Sequence, residues 1–404
     1  MNMIFQNEQK LPTVFDNLSA NRQKRNRQIL AVFLIIILFL LLSFFIFYDK
    51  ESKTSLSTLS NEKSSTNISK LPDYPSTQPA HLDANFEAWS IPAEAKSKLW
   101  DAVKNSPINE KTGRHCIIYS VANEGMIDFI LNSLCSMKLV GIPRNYHVTI
   151  ALDQESYDAI SKIDEPVIYL KSNFTKQAVN NRKLIDFYNI IKVKPTILHQ
   201  FLLWNVEPIL VDVDSVFLQN PFHVFNDEAD FEVQCDSKIY YQIPYNEYPV
   251  PWQVNLGFFK VHPTKTVMKL MPFWLTRMYN ASKVHDQSSL RKVLKPYPTF
   301  WINNDTISVD ARSLIEDDQN LTFRFLDPML IANAGGLYQD GKRNWKKEAK
   351  RRKITRPEFI HFFHCGSVGE KLGYMKKNKL WFINQTFQCL SEQPEGAVTF
   401  KVWK

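Results

Sequence analysis

A chain of 404 residues with 44% hydrophobic and 13% aromatic content has a globular composition, ample for a sizeable core, and room for one large domain or two small ones. The formal net charge of +8 resembles a nucleic-acid signal. Part of it sits before a hydrophobic segment, where Lys10, Arg22, Lys24, Arg25 and Arg27 face only Glu8 and Asp16, so nucleic acid is set aside as a partner.

Residues 29–48, ILAVFLIIILFLLLSFFIFY, form a 20-residue uncharged run. As a helix it spans roughly 30 Å, the thickness of a bilayer core. Its length and bulky aromatic end favour a membrane anchor over a cleaved signal peptide. Basic residues crowd its amino-terminal flank, so residues 1–28 are expected to be a cytosolic tail and everything after the anchor to be luminal. Cys116, Cys135, Cys235, Cys365 and Cys389 then lie in an oxidising compartment, with at most two disulfides and connectivity left open. Asn-x-Ser/Thr triplets at Asn67, Asn173, Asn280, Asn304, Asn320 and Asn384 are eligible for N-glycosylation there. The Ser/Thr/Lys/Pro-rich start of residues 49–110 reads as a flexible luminal stem. No repeat or Gly/Ser-rich linker follows, which predicts a single domain over 111–404.

Within it, HCIIYSVA (115–122) has strand character, residues 125–141 place apolar residues at helical spacing, and YHVTIALD (146–153) returns to strand. This order predicts a βαβ unit and an α/β fold with a mostly parallel, Rossmann-related sheet, in which ligands bind beyond the carboxyl ends of the strands. EPILVDVDSVFLQNPF (207–222) is an apolar run that ends in Asp212 and Asp214. Residues two apart on an extended segment share a side, so two carboxylates can face one hard divalent cation, such as Mn2+ or Mg2+, together with substrate phosphates. The alternative is a turn opened by Asp212 and capped by Asp214.

Further along, IYYQIPYNEYPVPW (239–252) concentrates tyrosine, tryptophan and proline, either a platform for sugar rings or a loop that buries its aromatics. In VNLGFFKVHPT (254–264), Gly257 permits close approach of a sugar or another backbone, or marks a strand bulge, and Asn255 can donate and accept hydrogen bonds. Asp286 opens a predicted helix and can serve as its N-cap. KRNWKKEAKRRK (342–353) has eight basic residues in twelve and reads as a solvated loop. HFFHCGSVGEKLGYM (361–375) supplies His361, His364 and Lys371.

These segments, in this order, resemble the nucleotide-diphospho-sugar transferase family, a GT-A-type group that includes plant-type xylosyl, arabinosyl and galactosyl transferases. The resemblance covers roughly residues 112–388 and implies a single GT-A-like domain acting on a UDP-sugar donor and a glycan, glycoprotein or glycolipid acceptor. It implies donor contacts from Ser120, Val121, Asn123, Asp212, Asp214, Asn255 and Gly257, and places Asp286 and Gln287 against the donor sugar. A divalent metal would be held by Asp212, Asp214 and a histidine; His361 and His364 both qualify, and His364 is preferred. Lys371 would neutralise the departing diphosphate. The family also implies retention of anomeric configuration; together with the anchor and its basic flank, the expectation is a single-pass type II protein of the Golgi membrane or endoplasmic reticulum. A competing expectation is an inactive luminal sugar- or calcium-binding protein, or a scaffold, distinguished by its lack of affinity for UDP.

Overall fold

The structure, a computed structural model, describes residues 91–171, 185–235, 254–281, 283–302, 305–315, 318–338, 342–363 and 366–394. The strands are β1 (Cys116–Ala122), β2 (His147–Ala151), β3 (Val167–Tyr169), β4 (Glu207–Val211), β5 (Ser215–Phe217), β6 (Phe231–Cys235), β7 (Val254–Val261), β8 (Thr299–Trp301), β9 (Thr306–Val309), β10 (Leu321–Phe325), β11 (Ile331–Asn333) and β12 (Phe359–His361). The helices are α1 (Ala93–Asn105), α2 (Ile127–Leu139), α3 (Gln154–Ser161), α4 (Ile185–Leu203), α5 (Lys265–Tyr279), α6 (Asp286–Leu294), α7 (Arg312–Ile315), α8 (Ala334–Tyr338), α9 (Lys342–Arg352) and α10 (Val368–Lys377).

The predicted βαβ unit is β1, α2 and β2, with β1 and β2 paired in parallel. A sheet in the order β3-β2-β1-β4-β7-β6-β10-β9-β8 is parallel from β3 through β4 and mixed beyond it, because β7 runs antiparallel to both β4 and β6. The α/β class and the parallel core follow the sequence reading. Continuous apolar runs such as CIIYSVA form these strands because both faces are covered. Ile117, Tyr119 and Val121 enter one apolar cluster with α1, α4 and α5, while Ile118 and Ala122 enter another with α2 and α10.

A second, three-stranded sheet, β11-β12-β5, sets the late segment against the acidic one. Strand β12 pairs antiparallel with β5, and the register places His361 opposite Ser215. Phe217 and Phe359 pack edge-on there, with ring centroids 5.0 Å apart. Helix α10 starts where it does because Ser367 and Glu370 form a reciprocal capping box, with Gly366 at φ +80° leading in. A disulfide, Cys135–Cys389, joins α2 to the carboxyl-terminal segment across a sequence separation of 254.

Two expectations change. The folded unit begins before residue 111: α1 lies inside the stretch read as stem, and its Ala95, Leu99 and Val103 are buried in the core. The basic run at 342–353 is helical, and Ala349 is buried within it. Residues 29–48, 239–252 and His364 lie outside the described residues. Among the described residues no helix is long and apolar enough to cross a membrane.

Candidate active site

Strand β4 delivers the acidic pair. It lies between β1 and β7, and just past its end Asp212 N–H donates to Gly257 O at 2.8 Å. Phe362 N–H, just past β12, donates to Asp214 O at 2.9 Å. The Asp-Val-Asp backbone is thus clamped between the two sheets, with Val213 buried and both aspartates lining a cavity of about 440 Å³. This is the carboxyl end of the parallel strands, where α/β folds place ligands.

The imidazole beside both carboxylates belongs to His361. Its Nε2 lies 3.4 Å from Asp214 Oδ1 and 3.6 Å from Asp212 Oδ2, and the ring is almost fully buried. The sequence reading prefers His364, and its one unresolved choice turns on strand register, which the β12–β5 pairing supplies for His361. A ligand atom from each of Asp212, Asp214 and His361 falls within a 4.8 Å cluster. Two carboxylates and one imidazole are a donor set suited to Mn2+, and one that also accepts Mg2+.

Two lysines reach the carboxylates from opposite elements. Lys194 of α4 pairs with Asp212, and Lys371 of α10 pairs with Asp214. Burial alone would raise the Asp214 carboxyl, but Lys371 and His361 outweigh it and hold it well below the usual range. Burial would likewise depress Lys194; Asp212 and Asp286 prevail and raise it. Lys194 was not singled out from the sequence, since within IIKVKP nothing separates it from Lys192.

Asp286 and Gln287 begin α6 at the same cavity. Asp286 is the first helical residue, not the N-cap, which is His285. Its Oδ1 accepts from Gln287 N–H at 2.7 Å and lies 2.6 Å from His285 Nδ1. Burial pushes this carboxyl up, while His285 and Lys194 push harder in the other direction, so it sits below its ordinary value. Gln287 Oε1 accepts from Leu256 N–H at 3.1 Å, and Asn255 Oδ1 from Gly257 N–H at 2.8 Å. The β6–β7 pairing jumps from Val233↔Phe259 to Gln234↔Asn255, so the expected bulge brackets Gly257.

The close approach at Gly257 is made by His361. A Cβ there would lie 2.0 Å from His361 Cε1 and 2.4 Å from Nδ1, so glycine is required for the ring to occupy its place. Ser120 is a correction. Val121 and Asn123 line the cavity, whereas Ser120, on the opposite face of β1 from Val121, donates from Oγ to Val211 O at 2.8 Å and is fully buried. Gln234, absent from the sequence reading, accepts from His361 Nδ1 at 2.9 Å. Lys371 sits at the cavity as expected.

The chain is similar in part to several known proteins. Arabinosyltransferase RRA2 of Arabidopsis thaliana is 32% identical over 120 residues, which are 30% of this chain and 27% of that protein. The chain therefore matches about a quarter of this curated relative's length. Among solved structures, the galactosyltransferase LgtC in complex with donor and acceptor sugar analogues is 11% identical, with 69% of this chain and 97% of that one covered and a TM-score of 0.40. Mouse xyloside xylosyltransferase 1 is 12% identical over 63% of this chain and 99% of that one, with a TM-score of 0.36. Superpositions this loose carry no argument. The family pattern itself is matched across residues 144–375, more than half of the sequence and the span that holds the acidic pair, His361 and Lys371, and on that match the chain belongs to the nucleotide-diphospho-sugar transferase family.

Proposed function

We propose that the protein is a metal-dependent glycosyltransferase that moves a sugar from a UDP-sugar to a hydroxyl of a glycan, protein or lipid. The observation that carries this reading is the convergence of Asp212, Asp214 and His361 with Lys194 and Lys371 on one cavity at the carboxyl end of the parallel strands. Asp212, Asp214 and His361 would hold Mn2+ or Mg2+, which supplies electrostatic stabilisation to the departing diphosphate.

The chain's own residues do the remaining work. Lys371, close to Asp214, supplies a second positive charge where the diphosphate leaves. Asp286, kept ionised by His285 and Lys194, can accept hydrogen bonds from sugar hydroxyls. Gln287, anchored by Leu256 N–H and at the head of α6, is positioned beside it. Val121 and Asn123 line the cavity on the β1 side, where the nucleotide would lie. Among the described residues, the carboxylates that line the cavity, Asp212, Asp214 and Asp286, each have a basic partner in Lys194, Lys371 or His285, which supports same-face attack and retention over a covalent nucleophile.

Membrane anchoring through residues 29–48, a type II topology and a Golgi location belong to the same proposal. Their support is the 20-residue uncharged run with basic residues before it, together with exposed Asn280 and Asn384 among the glycosylation triplets. The decisive experiment is hydrolysis of a panel of UDP-sugars by the full chain with Mn2+ or with EDTA, beside Asp214→Asn. Slow Mn2+-dependent release of UDP from one donor, reduced about 100- to 1000-fold in the variant, is expected. Absence of both hydrolysis and UDP binding in the unmodified protein refutes the reading.

A further inference from the structure

Resting on the metal-site reading above, we infer that Gln234 is a positioning residue: it fixes the tautomer and ring orientation of His361, so that Nε2 presents its lone pair to a cation shared with Asp212 and Asp214.

The inference follows from a chain of three hydrogen-bonding groups, each with one way to be satisfied. Gln234 is at the end of β6, its side chain wholly buried. Its Nε2 donates to Ala332 O of β11 at 2.9 Å. A carbonyl oxygen only accepts, so the amide nitrogen must face Ala332 and the amide oxygen must face the other way. That oxygen lies 2.9 Å from His361 Nδ1, and because it too only accepts, Nδ1 carries the proton. In a neutral imidazole with Nδ1–H, Nε2 is the basic nitrogen, and it is the atom turned toward the two carboxylates at 3.4 and 3.6 Å.

Orientation is fixed from the other face as well. The missing Cβ of Gly257 leaves the space that the ring fills. The two strands that carry the ends of the relay are themselves paired, with Ala332 opposite Ile360 and Asn333 opposite His361. Rotation of the imidazole by half a turn about Cβ–Cγ would exchange Nδ1 with Cδ2 and Nε2 with Cε1, and so would take a nitrogen away from both Gln234 and the acids. Outer partners of this kind raise the basicity of a ligating histidine and hold its angle, and their loss typically weakens metal binding ~10- to 100-fold.

The test uses the full chain in three forms: unmodified, Gln234→Met, which keeps the volume and removes both bonds, and Gln234→Glu, which keeps an acceptor for Nδ1. The first measurement is made with Mg2+, which is diamagnetic and leaves the ring signals visible. The ring nitrogens of ¹⁵N-histidine-labelled protein, with His361→Ala used to assign the signal, should show the Nδ1–H tautomer in the unmodified chain and lose it in Gln234→Met. The second is Mn2+ affinity by calorimetry and by the electron paramagnetic resonance of free Mn2+. Gln234→Met should bind ~10- to 100-fold more weakly, and Gln234→Glu should restore affinity to within about threefold, a rescue that a merely space-filling role would not give. An Nε2–H tautomer in the unmodified chain overturns the inference, as does equal Mn2+ affinity in Gln234→Met. Failure of the unmodified chain to bind Mn2+ overturns the metal site itself, and so separates the two readings.

Discussion

Both ends of β4 carry a histidine, carboxylates and a lysine, and only one end has the makings of a site. At the carboxyl end stand Asp212, Asp214 and His361, with Lys194 and Lys371. At the amino end Glu207, Asp227 and His262 form an equally tight cluster of potential ligands. There Lys260 is inside the cluster, 2.9 Å from Glu207 Oε2 and paired with Asp227, with its ammonium almost inaccessible. Glu232 accepts from the backbone at Asn226 and Asp227 and from Arg324 at 2.7 Å. The amino end therefore already holds its cation by a covalent tether. At the carboxyl end the lysines reach in from α4 and α10 beside an open cavity, and a mobile cation could compete for the same oxygens. Proximity of ligand atoms does not distinguish the two ends; access and an exchangeable counter-charge do.

The largest effect that tests this contrast is expected from Lys260→Met. Removing the tethered cation leaves Glu207 and Asp227 buried without it, at a cost of about 3–5 kcal/mol in urea unfolding. Lys371→Met, at the open end, should cost no more than about 1–2 kcal/mol because water from the cavity can solvate Asp214, while transferase activity falls. Equal stability losses at the two ends would break the comparison.

A second effect concerns what holds the open end in place. The segment that brings His361 and Lys371 to the acidic pair is followed by the disulfide from Cys389 to Cys135 on α2. Cys389→Ser should lower stability by about 2–5 kcal/mol, the usual range for loss of a native disulfide. Limited proteolysis should then cut between α10 and the carboxyl terminus before it cuts within β7, the strand that carries Lys260. Simultaneous cutting would show that the two ends are stabilised as one.

Gly257→Ala is the sharper and smaller perturbation. The new methyl group meets His361 at 2.0 Å, and the ring has Gln234 behind it, so it must leave its place or push the strand. Overpacking of this kind costs about 1–3 kcal/mol. Mn2+ binding should fall at least ~10-fold, the loss expected when a ligand is misaimed. Unchanged Mn2+ binding would remove His361 from the site.

The sequence made the acidic pair legible because local rules suffice there: an uninterrupted apolar strand ends in Asp-Val-Asp, and period-two geometry does the rest. The βαβ unit was legible for the same reason. The third ligand was not, because His361 and His364 differ only in what β12 pairs with, and that register is set by residues far earlier in the chain, with Phe217 against Phe359 and Ser215 against His361. Lys194 and Gln234 looked like one more surface lysine and one more strand residue. Ser120 was carried along by its motif although alternation along β1 turns it away from Val121's face. Gly257 announced a close approach without naming the partner, since a glycine records that space is needed and not what fills it. The closed network at Glu207 left no sequence signal either: its members come from β4, β6, β7, β10 and the loop at Asp227, and only the fold assembles them.

The smallest prediction turns the closed network into a pH measurement. Burial would lower the His262 pKa, but Glu207 at 3.3 Å and Glu232 at 3.4 Å, joined by Asp227 at 3.7 Å, outweigh burial and the repulsion of Lys260, and raise it above the ordinary 6.5. Arg324 on Glu232 and Arg114 on Glu207 complete the charges that face this cluster. A raised folded-state value means that protonated His262 contributes stability in full below about 6.5, and that this contribution is lost as pH rises through the folded value. The carboxylates act in the opposite sense: burial raises Glu207, Glu232 and Asp227, their cationic partners and hydrogen bonds lower them further, and their contribution is present above their ordinary values and lost in acid. Melting temperature should therefore hold between the carboxylate range and pH 6.5 and decline on the alkaline side. In His262→Gln that alkaline decline should flatten, because glutamine keeps a hydrogen-bond donor for one carboxylate and has no proton to lose. An alkaline decline of the same size in both proteins would show that His262 is neutral in the fold and that Lys260, Arg114 and Arg324 balance the acidic cluster at the amino end of β4.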